Sequence, residues 1–277
     1  MNGIDITSEP ARRLLAFLII LGILALLEIL RPRRRLQYSK GRRWLSNFSI
    51  SILNAFLVAI LIPIAGVTTA LIAEENAWGL FNIIQVTPWI SLLLYLLIFD
   101  LTIYWQHRLF HRFNILWRLH RVHHTDLDYD VSTGIRFHPF SILLSVLIKL
   151  CLIIVMGPAA VAVLVSEILL NTTSMFNHSN IKLPPKFDAA LRYILVTPDM
   201  HRVHHSTLEA EHNTNFGFNF PWWDRLFGSY LAQPSKGHDE MKIGIQAYDE
   251  DKAIGLRALL VQPFGRDEEP EATVSPD

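Results

Sequence analysis

His120-Arg121-Val122-His123-His124 is repeated further along the sequence as His201-Arg202-Val203-His204-His205. Two more histidines, four residues apart, precede the first copy, and a single histidine lies between the copies. Residues four apart share one face of a helix, so each cluster is predicted to point its imidazoles in one direction. A metal ion needs several neutral imidazoles at once. The sequence therefore predicts a metal site of two ions with the ligands His107, His111, His120, His123, His124, His178, His201, His204 and His205.

The remaining composition limits the ligand type and the partners. The single cysteine, Cys151, lies in an apolar run, which excludes a thiolate site and a disulfide framework. Imidazole alone suits iron, zinc, copper or nickel. Basic and acidic residues balance at 25 each, so the net charge gives no indication of a nucleic-acid partner.

Long apolar segments predict an integral-membrane protein. Of all residues 51% are hydrophobic and the mean hydropathy is positive, which is unusual for a soluble domain. The last two apolar segments flank Gly157-Pro158 and predict a helical hairpin. The predicted fold class is all-α: an integral-membrane helical bundle with a cytoplasmic, histidine-rich helical cap. The apolar segments are residues 14–30, 44–73, 91–105, 140–156 and 159–170.

Basic residues between the first two apolar segments predict the orientation. Residues 31–43 contain seven lysines and arginines, against two before the first segment. By the positive-inside rule this loop is cytoplasmic, and we interpret it as a solvated or headgroup-binding linker. Following the segments along the chain then places every histidine cluster on the cytoplasmic side.

Three regions are expected along the chain. Residues 1–89 comprise N-terminal membrane helices and the basic loop, residues 90–232 form a catalytic domain, and residues 233–277 form a C-terminal tail. After about residue 265 the composition is rich in acidic residues and proline, which predicts disorder at the end of the tail.

Two residues outside the clusters are further candidates for the catalytic site. Asp100 lies two helical turns before His107 on the same predicted face, where it could orient a ligating imidazole or pair elsewhere in the bundle. His138, in the sequence Arg-Phe-His-Pro, could be an additional ligand, an orienting residue or simply the residue that precedes a helix. His212 and His238 are predicted to be surface residues.

A pair of charges is predicted inside the hairpin. Lys149 lies eight residues before Gly157 and Glu167 lies nine after Pro158, so antiparallel arms place the two charges at similar depth. A lone charge at the middle of a membrane costs about 3 kcal/mol on insertion scales, which favours their pairing.

The order of the histidine motifs resembles the fatty acid hydroxylase and sterol desaturase superfamily of integral-membrane, non-haem di-iron oxygenases. The resemblance covers roughly residues 90–232 and includes Trp117 before the second motif and residues 133–139 after it. One departure is Ser174, where some members carry a further histidine, so His138 is a candidate to complete the ligand set. The matching motifs are His107-Arg-Leu-Phe-His111, His120-Arg-Val-His-His124, Asn177-His178-Ser-Asn180 and His201-Arg-Val-His-His205.

The resemblance implies O2-dependent hydroxylation or desaturation of a C–H bond in a lipid of fatty acyl, sterol or ether-lipid type. It implies two Fe ions held by the matched histidines, although zinc could be found in the purified protein. We recognise no haem-binding or flavin-binding segment, so a separate electron donor of cytochrome b5, ferredoxin or pterin type is expected. Residues 126–133 and 217–223 are candidates for contact with a lipid headgroup.

The residues alone are also compatible with two other functions. A zinc hydrolase or isomerase could use the same imidazoles, but the first motif has Arg108 in the position of the general-base glutamate of His-Glu-x-x-His. A metal transporter or sensor could use the polar stripe from Glu167 to His178. That function would require ligands strung along the membrane normal, whereas the clusters are predicted at one level.

Overall fold

Helices form the framework of the computed structural model, which describes residues 9–265. By length and composition five helices could cross a membrane, and no β-strand occurs in this range. The predicted all-α membrane bundle is thereby confirmed. The longer helices are α1 (Glu9–Leu30), α2 (Lys40–Leu61), α3 (Gly66–Glu75), α5 (Pro88–Arg112), α6 (Asn114–His124), α7 (Pro139–Met156) and α8 (Ala160–Asn177). The shorter helices are α4 (Leu80–Ile83), α9 (Pro185–Leu191), α10 (Pro198–His204), α11 (Glu209–His212), α12 (Trp222–Leu226), α13 (Gly237–Glu240), α14 (Glu250–Ala253) and α15 (Leu256–Val261), with 3-10 turns at Val131–Ile135 and Gln262–Phe264.

The apolar segment predicted at residues 44–73 consists of two helices. α2 ends before Pro63, which lacks the backbone N–H needed to continue the helix, and α3 begins after it. Asn54, within α2, donates its side-chain amide to the Phe137 carbonyl oxygen at 2.8 Å. This bond anchors α2 beside the loop that follows the first pentapeptide.

The predicted hairpin is formed by α7 and α8. Gly157 ends α7 with a left-handed backbone (φ 60°), and a Cβ atom there would lie 2.3 Å from the Trp78 carbonyl oxygen. Both arms have 18 residues, which corresponds to about 27 Å of helix. The start of α7 and the end of α8 therefore lie at the same end of the bundle, beside the histidines.

The two charges of the hairpin have different surroundings. Glu167 is ion-paired with Arg13 of α1, so the predicted pair with Lys149 is replaced. The physical reason is that α1 packs along α8 and brings the arginine within reach of the carboxylate. Lys149 instead lies on the wall of an internal cavity.

The basic segment after α1 is solvated only in part. The fully buried Arg43 side chain donates two hydrogen bonds to Asp126, at 2.6 and 2.8 Å, and one to Asp130 at 2.7 Å. Arg33 is ion-paired with Asp199 at 3.1 Å. The expectation of a solvated or headgroup-binding linker is therefore wrong for Arg43, which is buried against carboxylates close to the histidine motifs, whereas Arg31, Arg35 and Arg42 are exposed. Asp126 and Asp130 are likewise too deeply buried to contact a lipid headgroup.

Glu28, the acidic residue within the apolar part of α1, connects two loops. One carboxylate oxygen accepts hydrogen bonds from the backbone N–H groups of Val131 (2.7 Å) and Asn180 (2.8 Å). The other carboxylate oxygen lies 3.3 Å from the Lys40 ammonium group. A single buried side chain thus holds the loop after α6 against the loop that follows His178.

The segment after residue 232, predicted to be a tail, is helical in part and packs on α2 and α6. Leu259 of α15 shares a buried apolar cluster with Ile50 and Val122. The disorder predicted at the end of the tail concerns residues 266–277, which lie outside the described residues.

Arg43→Met is expected to destabilise the protein by about 3–5 kcal/mol, because it leaves two buried carboxylates without their cation. Arg42→Met is a matched control, since Arg42 pairs with Glu250 at the exposed surface, and its loss should cost about 1 kcal/mol or less. Thermal unfolding of the protein in detergent micelles measures both effects. Equal melting temperatures for the two variants would contradict the buried network.

Candidate metal centre

The nine histidines predicted as ligands lie in two groups. Within each group, one ring nitrogen per residue lies within 4.8 Å of those of all other members. In the described part of the chain no carboxylate or thiolate joins either group. Every member is buried except His111, which is half-buried. The five-histidine group consists of His107, His111, His120, His124 and His204, and the four-histidine group consists of His123, His178, His201 and His205.

Each copy of the pentapeptide supplies both groups. In both copies the first and fifth residues belong to one group and the fourth residue belongs to the other. The first copy gives its outer pair to the five-histidine group, and the second copy gives its outer pair to the four-histidine group. Residues four apart share a helix face, whereas adjacent residues are turned by about 100°. His123 and His204 therefore each belong to a different group from the other two histidines of their own copy.

Local sequence signals position the helices that carry these residues. Phe113, with extended backbone, is the single residue between α5 and α6, and it turns the chain so that the first two motifs face each other. α10 begins at Thr197-Pro198, where the threonine hydroxyl accepts the Met200 backbone N–H at 3.3 Å. His178 caps the end of α8. The hairpin thus delivers His178 to the four-histidine group.

Oxygens of the protein hold the ring nitrogens that face away from the groups. Nδ1 of His107 lies 2.8 Å from the Phe216 carbonyl oxygen, and Nδ1 of His178 lies 2.7 Å from the Ser174 carbonyl oxygen. A carbonyl oxygen only accepts, so each of these rings donates Nδ1–H and presents an Nε2 lone pair to its group. The other such contacts are His204 Nδ1 to the Thr214 carbonyl (2.7 Å), His123 Nδ1 to the Arg136 carbonyl (3.2 Å) and His111 Nδ1 to Asn213 Oδ1 (3.3 Å).

The inward nitrogens form a donor set that fits metal ions. The Nε2 atoms of His123 and His178 lie 3.0 Å apart. Since both rings carry their proton on Nδ1, two lone pairs face each other, an arrangement that a shared cation stabilises. Transition metals that prefer imidazole suit such a set. Among the nine clustered histidines, the buried Nε2 atoms without a hydrogen-bond partner in the described part of the chain are those of His107, His120, His201 and His204.

Burial keeps these imidazoles neutral. Loss of hydration lowers the pKa of His178 to about 3 and lowers the pKa of His120 and His201 well below its usual value. Neighbouring imidazoles add to the shift for His120 and His201, because two positive charges would repel each other. Neutral imidazole is the form that binds metals, so both groups are already in the protonation state that a metal requires.

Asp100 lies outside both groups. Its carboxylate accepts the backbone N–H groups of Asn219 at 3.1 Å and Phe220 at 3.2 Å, and the Trp223 indole N–H at 2.8 Å. Of the two roles considered for Asp100, the structure therefore places it in contacts elsewhere in the bundle. The same bonds hold part of the turn at residues 217–223 against α5, but Trp222 in this turn is exposed, so headgroup contact there stays a prediction.

His138 is likewise outside both groups and precedes α7. Its Nδ1 accepts the Phe140 backbone N–H at 3.2 Å, and its Nε2 lies 3.3 Å from the Leu260 carbonyl oxygen. Both ring nitrogens are thus engaged with backbone, as expected of a residue that starts a helix. His238, predicted at the surface, is buried with Nε2 3.6 Å from Asp199.

Asp224 supports the centre and was not singled out from the sequence. It accepts the backbone N–H groups of Phe216 and Gly217, both at 2.8 Å, and the Ser229 hydroxyl at 2.7 Å. These bonds fix the peptide whose carbonyl oxygen orients His107. The available signal was its place in the Trp-Asp-Arg-Leu-Phe-Gly stretch that follows the last motif.

Two pockets reach the five-histidine group. An internal cavity of about 320 Å³, mostly apolar, meets it at His107 and His120 and is walled by α1, α2, α5, α7 and α8. A second pocket of about 470 Å³, with a more polar lining, meets the group at His111. The group is thus accessible both from among the membrane helices and through a polar opening.

The fold and the site define a membrane protein with two neighbouring all-histidine groups, each of which could hold a metal ion. Residues 92–229 match the family model described as fatty acid hydroxylase, and the chain belongs to this family. The chain matches no solved structure with significance.

Three curated relatives illustrate the range of the family. The chain is 32% identical to an ornithine lipid hydroxylase of Rhizobium tropici over 172 residues, which is 62% of this chain and 49% of the relative. It is 32% identical to the alkylglycerol monooxygenase of Homo sapiens over 162 residues, 58% of this chain and 35% of the relative. A very-long-chain aldehyde decarbonylase of Oryza sativa is 23% identical over 221 residues, 74% of this chain and 30% of the relative. The chain thus spans half or less of the length of these relatives.

Removal of ligands from one group is expected to lower the metal content by one ion. The wild type should bind about two ions per chain, and the double variant His201→Ala/His205→Ala should bind about one, because two ligands of the four-histidine group are lost while the other group stays complete. The matched control is His138→Ala/His238→Ala, which removes two buried histidines outside the groups and should retain both ions. Mass spectrometric metal analysis gives the stoichiometry. Loss of both ions from the first variant would contradict two separate groups.

Asp224→Asn is expected to weaken metal binding by about 10- to 100-fold, because an amide cannot accept both backbone N–H groups and the Phe216 carbonyl loses its position. Competition with a chelator measures the affinity. The control is Asp188→Asn, which disturbs a buried carboxylate paired with Arg192 away from the centre. If the two variants bound metal equally well, Asp224 would have no part in orienting the ligand.

Proposed function

We propose that this protein is a membrane-bound, O2-dependent di-iron oxygenase that hydroxylates or desaturates a C–H bond of a lipid of fatty acyl, sterol or ether-lipid type. The observation that carries the proposal is the contact of the five-histidine group with the apolar cavity at His107 and His120. Oxidation of an unactivated C–H bond requires the bond to lie beside a redox metal, and the cavity offers that position to an apolar molecule. The relatives named as lipid hydroxylase and alkylglycerol monooxygenase support a lipid substrate.

Two Fe ions, one in each group, would supply the O2 chemistry when bound. The chain contributes rings whose orientation is set by their outward hydrogen bonds and whose neutrality is set by burial. It also excludes water from the four-histidine group. Phe137 stacks on the His123 ring at 4.4 Å between centroids, and Tyr129 stacks on the His178 ring at 5.6 Å.

Two observations favour this function over the alternatives. Within residues 9–265 neither group includes a carboxylate that could act as the general base of a zinc hydrolase. The ligand atoms also gather in two compact groups, not along a line across the membrane as a transport path would need. The carboxylate of Glu167, which would begin such a path, is already paired with Arg13.

We propose a separate electron donor of cytochrome b5, ferredoxin or pterin type. The polar pocket at His111 supports this, because it gives a reductant from the aqueous phase access to a ligand of the five-histidine group. The Arg33–Asp199 pair holds the basic segment beside α10, so the positive-inside rule favours a cytoplasmic location for the centre. The catalytic domain would comprise residues 90–232.

Metal analysis combined with oxygen uptake tests the proposal. Gently purified wild-type protein is expected to hold about two irons per chain and to consume O2 when a suitable lipid is supplied with a reductant. His123→Ala and His204→Ala should each abolish this consumption and still insert into membranes. Retained turnover in both variants would show that the clusters are structural. Stoichiometric zinc, with no redox activity after iron reconstitution, would exclude the oxygenase.

A further inference from the structure

A lysine lies on the wall of the cavity that meets the five-histidine group. Lys149 is ten residues beyond the start of α7, about 15 Å along the helix from its histidine end. Ser141 and Ser145 precede it at spacings of four, so the three side chains share one face, and all three line the cavity. Asn171 and Ser174 of α8 line it as well. One wall of a mostly apolar cavity is therefore polar from the histidines to Lys149.

The ammonium group of Lys149 has no counter-ion within residues 11–265. Glu167, the nearest acid in depth on α8, is ion-paired with Arg13. No carboxylate from the described part of the chain lines the cavity. An uncompensated cation at membrane depth is unfavourable, and an anionic group brought by a ligand would remove that cost.

Asn54 is an independent indication that the cavity receives polar groups. It lines the cavity and is 6% exposed. Its amide N–H is used by the Phe137 carbonyl, and its buried Oδ1 has no hydrogen-bond partner among the described residues. Gln106, which precedes His107 in the sequence, lines the same cavity, and its buried Oε1 also has no hydrogen-bond partner among the described residues. Each such acceptor destabilises the protein unless a partner reaches it, so this wall is poorly suited to a purely hydrocarbon ligand.

We propose that Lys149 binds the acidic group, a carboxylate or a phosphate, of the lipid on which the protein acts, an inference that rests on the proposed function. The Cα–Cβ bond of a helical residue tilts toward the helix N-terminus, so the ammonium group leans toward the histidine end of the cavity. An acid bound there fixes the lipid along the cavity. It thereby selects which carbon lies against His107 and His120.

Binding of radiolabelled hexadecanoate, hexadecyl phosphate and hexadecanol to the full chain in detergent micelles tests this assignment. The wild type should bind at least one of the acids more tightly than the alcohol. Lys149→Met should weaken binding of that acid by about 10- to 100-fold, the effect of losing a charge-assisted hydrogen bond, and should leave the alcohol unaffected. Lys149→Arg should retain most of the acid binding. Lys186→Met, which removes an exposed lysine of α9, is the control and should match the wild type.

The outcomes separate the two proposals. Unchanged acid binding in Lys149→Met, or an equal loss for acids and alcohol, would overturn the Lys149 site. A loss confined to the carboxylate or to the phosphate supports the site and names the acid. Iron content and O2 uptake are measured on the same samples. Acid-selective binding that depends on Lys149, without lipid-dependent O2 uptake, would overturn the oxygenase and leave the binding site standing.

Discussion

The outward hydrogen bonds of the imidazoles decide what the centre can bind. Five rings point Nδ1 at an oxygen of the protein, and each thereby turns an Nε2 lone pair inward. Most of these oxygens are peptide carbonyls, so the ligand set depends on the backbone as much as on the histidines. The carboxylates of Asp224 and Asp100 accept backbone N–H groups of residues 216–220. A loop that carries no ligand is therefore a structural part of the centre.

Each copy of the pentapeptide contributes histidines to both groups, and this couples the two groups. Because α6 and α10 each give imidazoles to both groups, a movement of either helix displaces ligands in both at once. His107 and His111 complete one group, while His178 alone completes the other. At position 174 the serine hydroxyl donates to the Gly134 carbonyl oxygen at 3.0 Å, and the serine backbone carbonyl accepts from His178.

Local patterns of the sequence were sufficient to predict most of the long apolar helices, the hairpin and the identity of the clustered histidines, since these follow from apolar length, Gly-Pro breaks and spacings of four. The division of the histidines into two groups was not predictable, because it depends on how α6 and α10 face each other across 80 residues of chain. The same limit explains why the partners of Arg43 and Glu167 were not predicted. A charged residue in a sequence does not reveal which distant element will supply its partner, and here the partners are Asp126 and Arg13.

The two groups differ in how they meet their surroundings. The four-histidine group is wholly buried, with aromatic rings stacked on His123 and His178. The five-histidine group borders both the membrane-facing cavity and the polar pocket. An apolar molecule and a water-soluble reductant would therefore approach the same group from different openings, while the other group stays enclosed. Because buried neutral imidazoles resist protonation, the histidines of the four-histidine group stay neutral even where water reaches the five-histidine group.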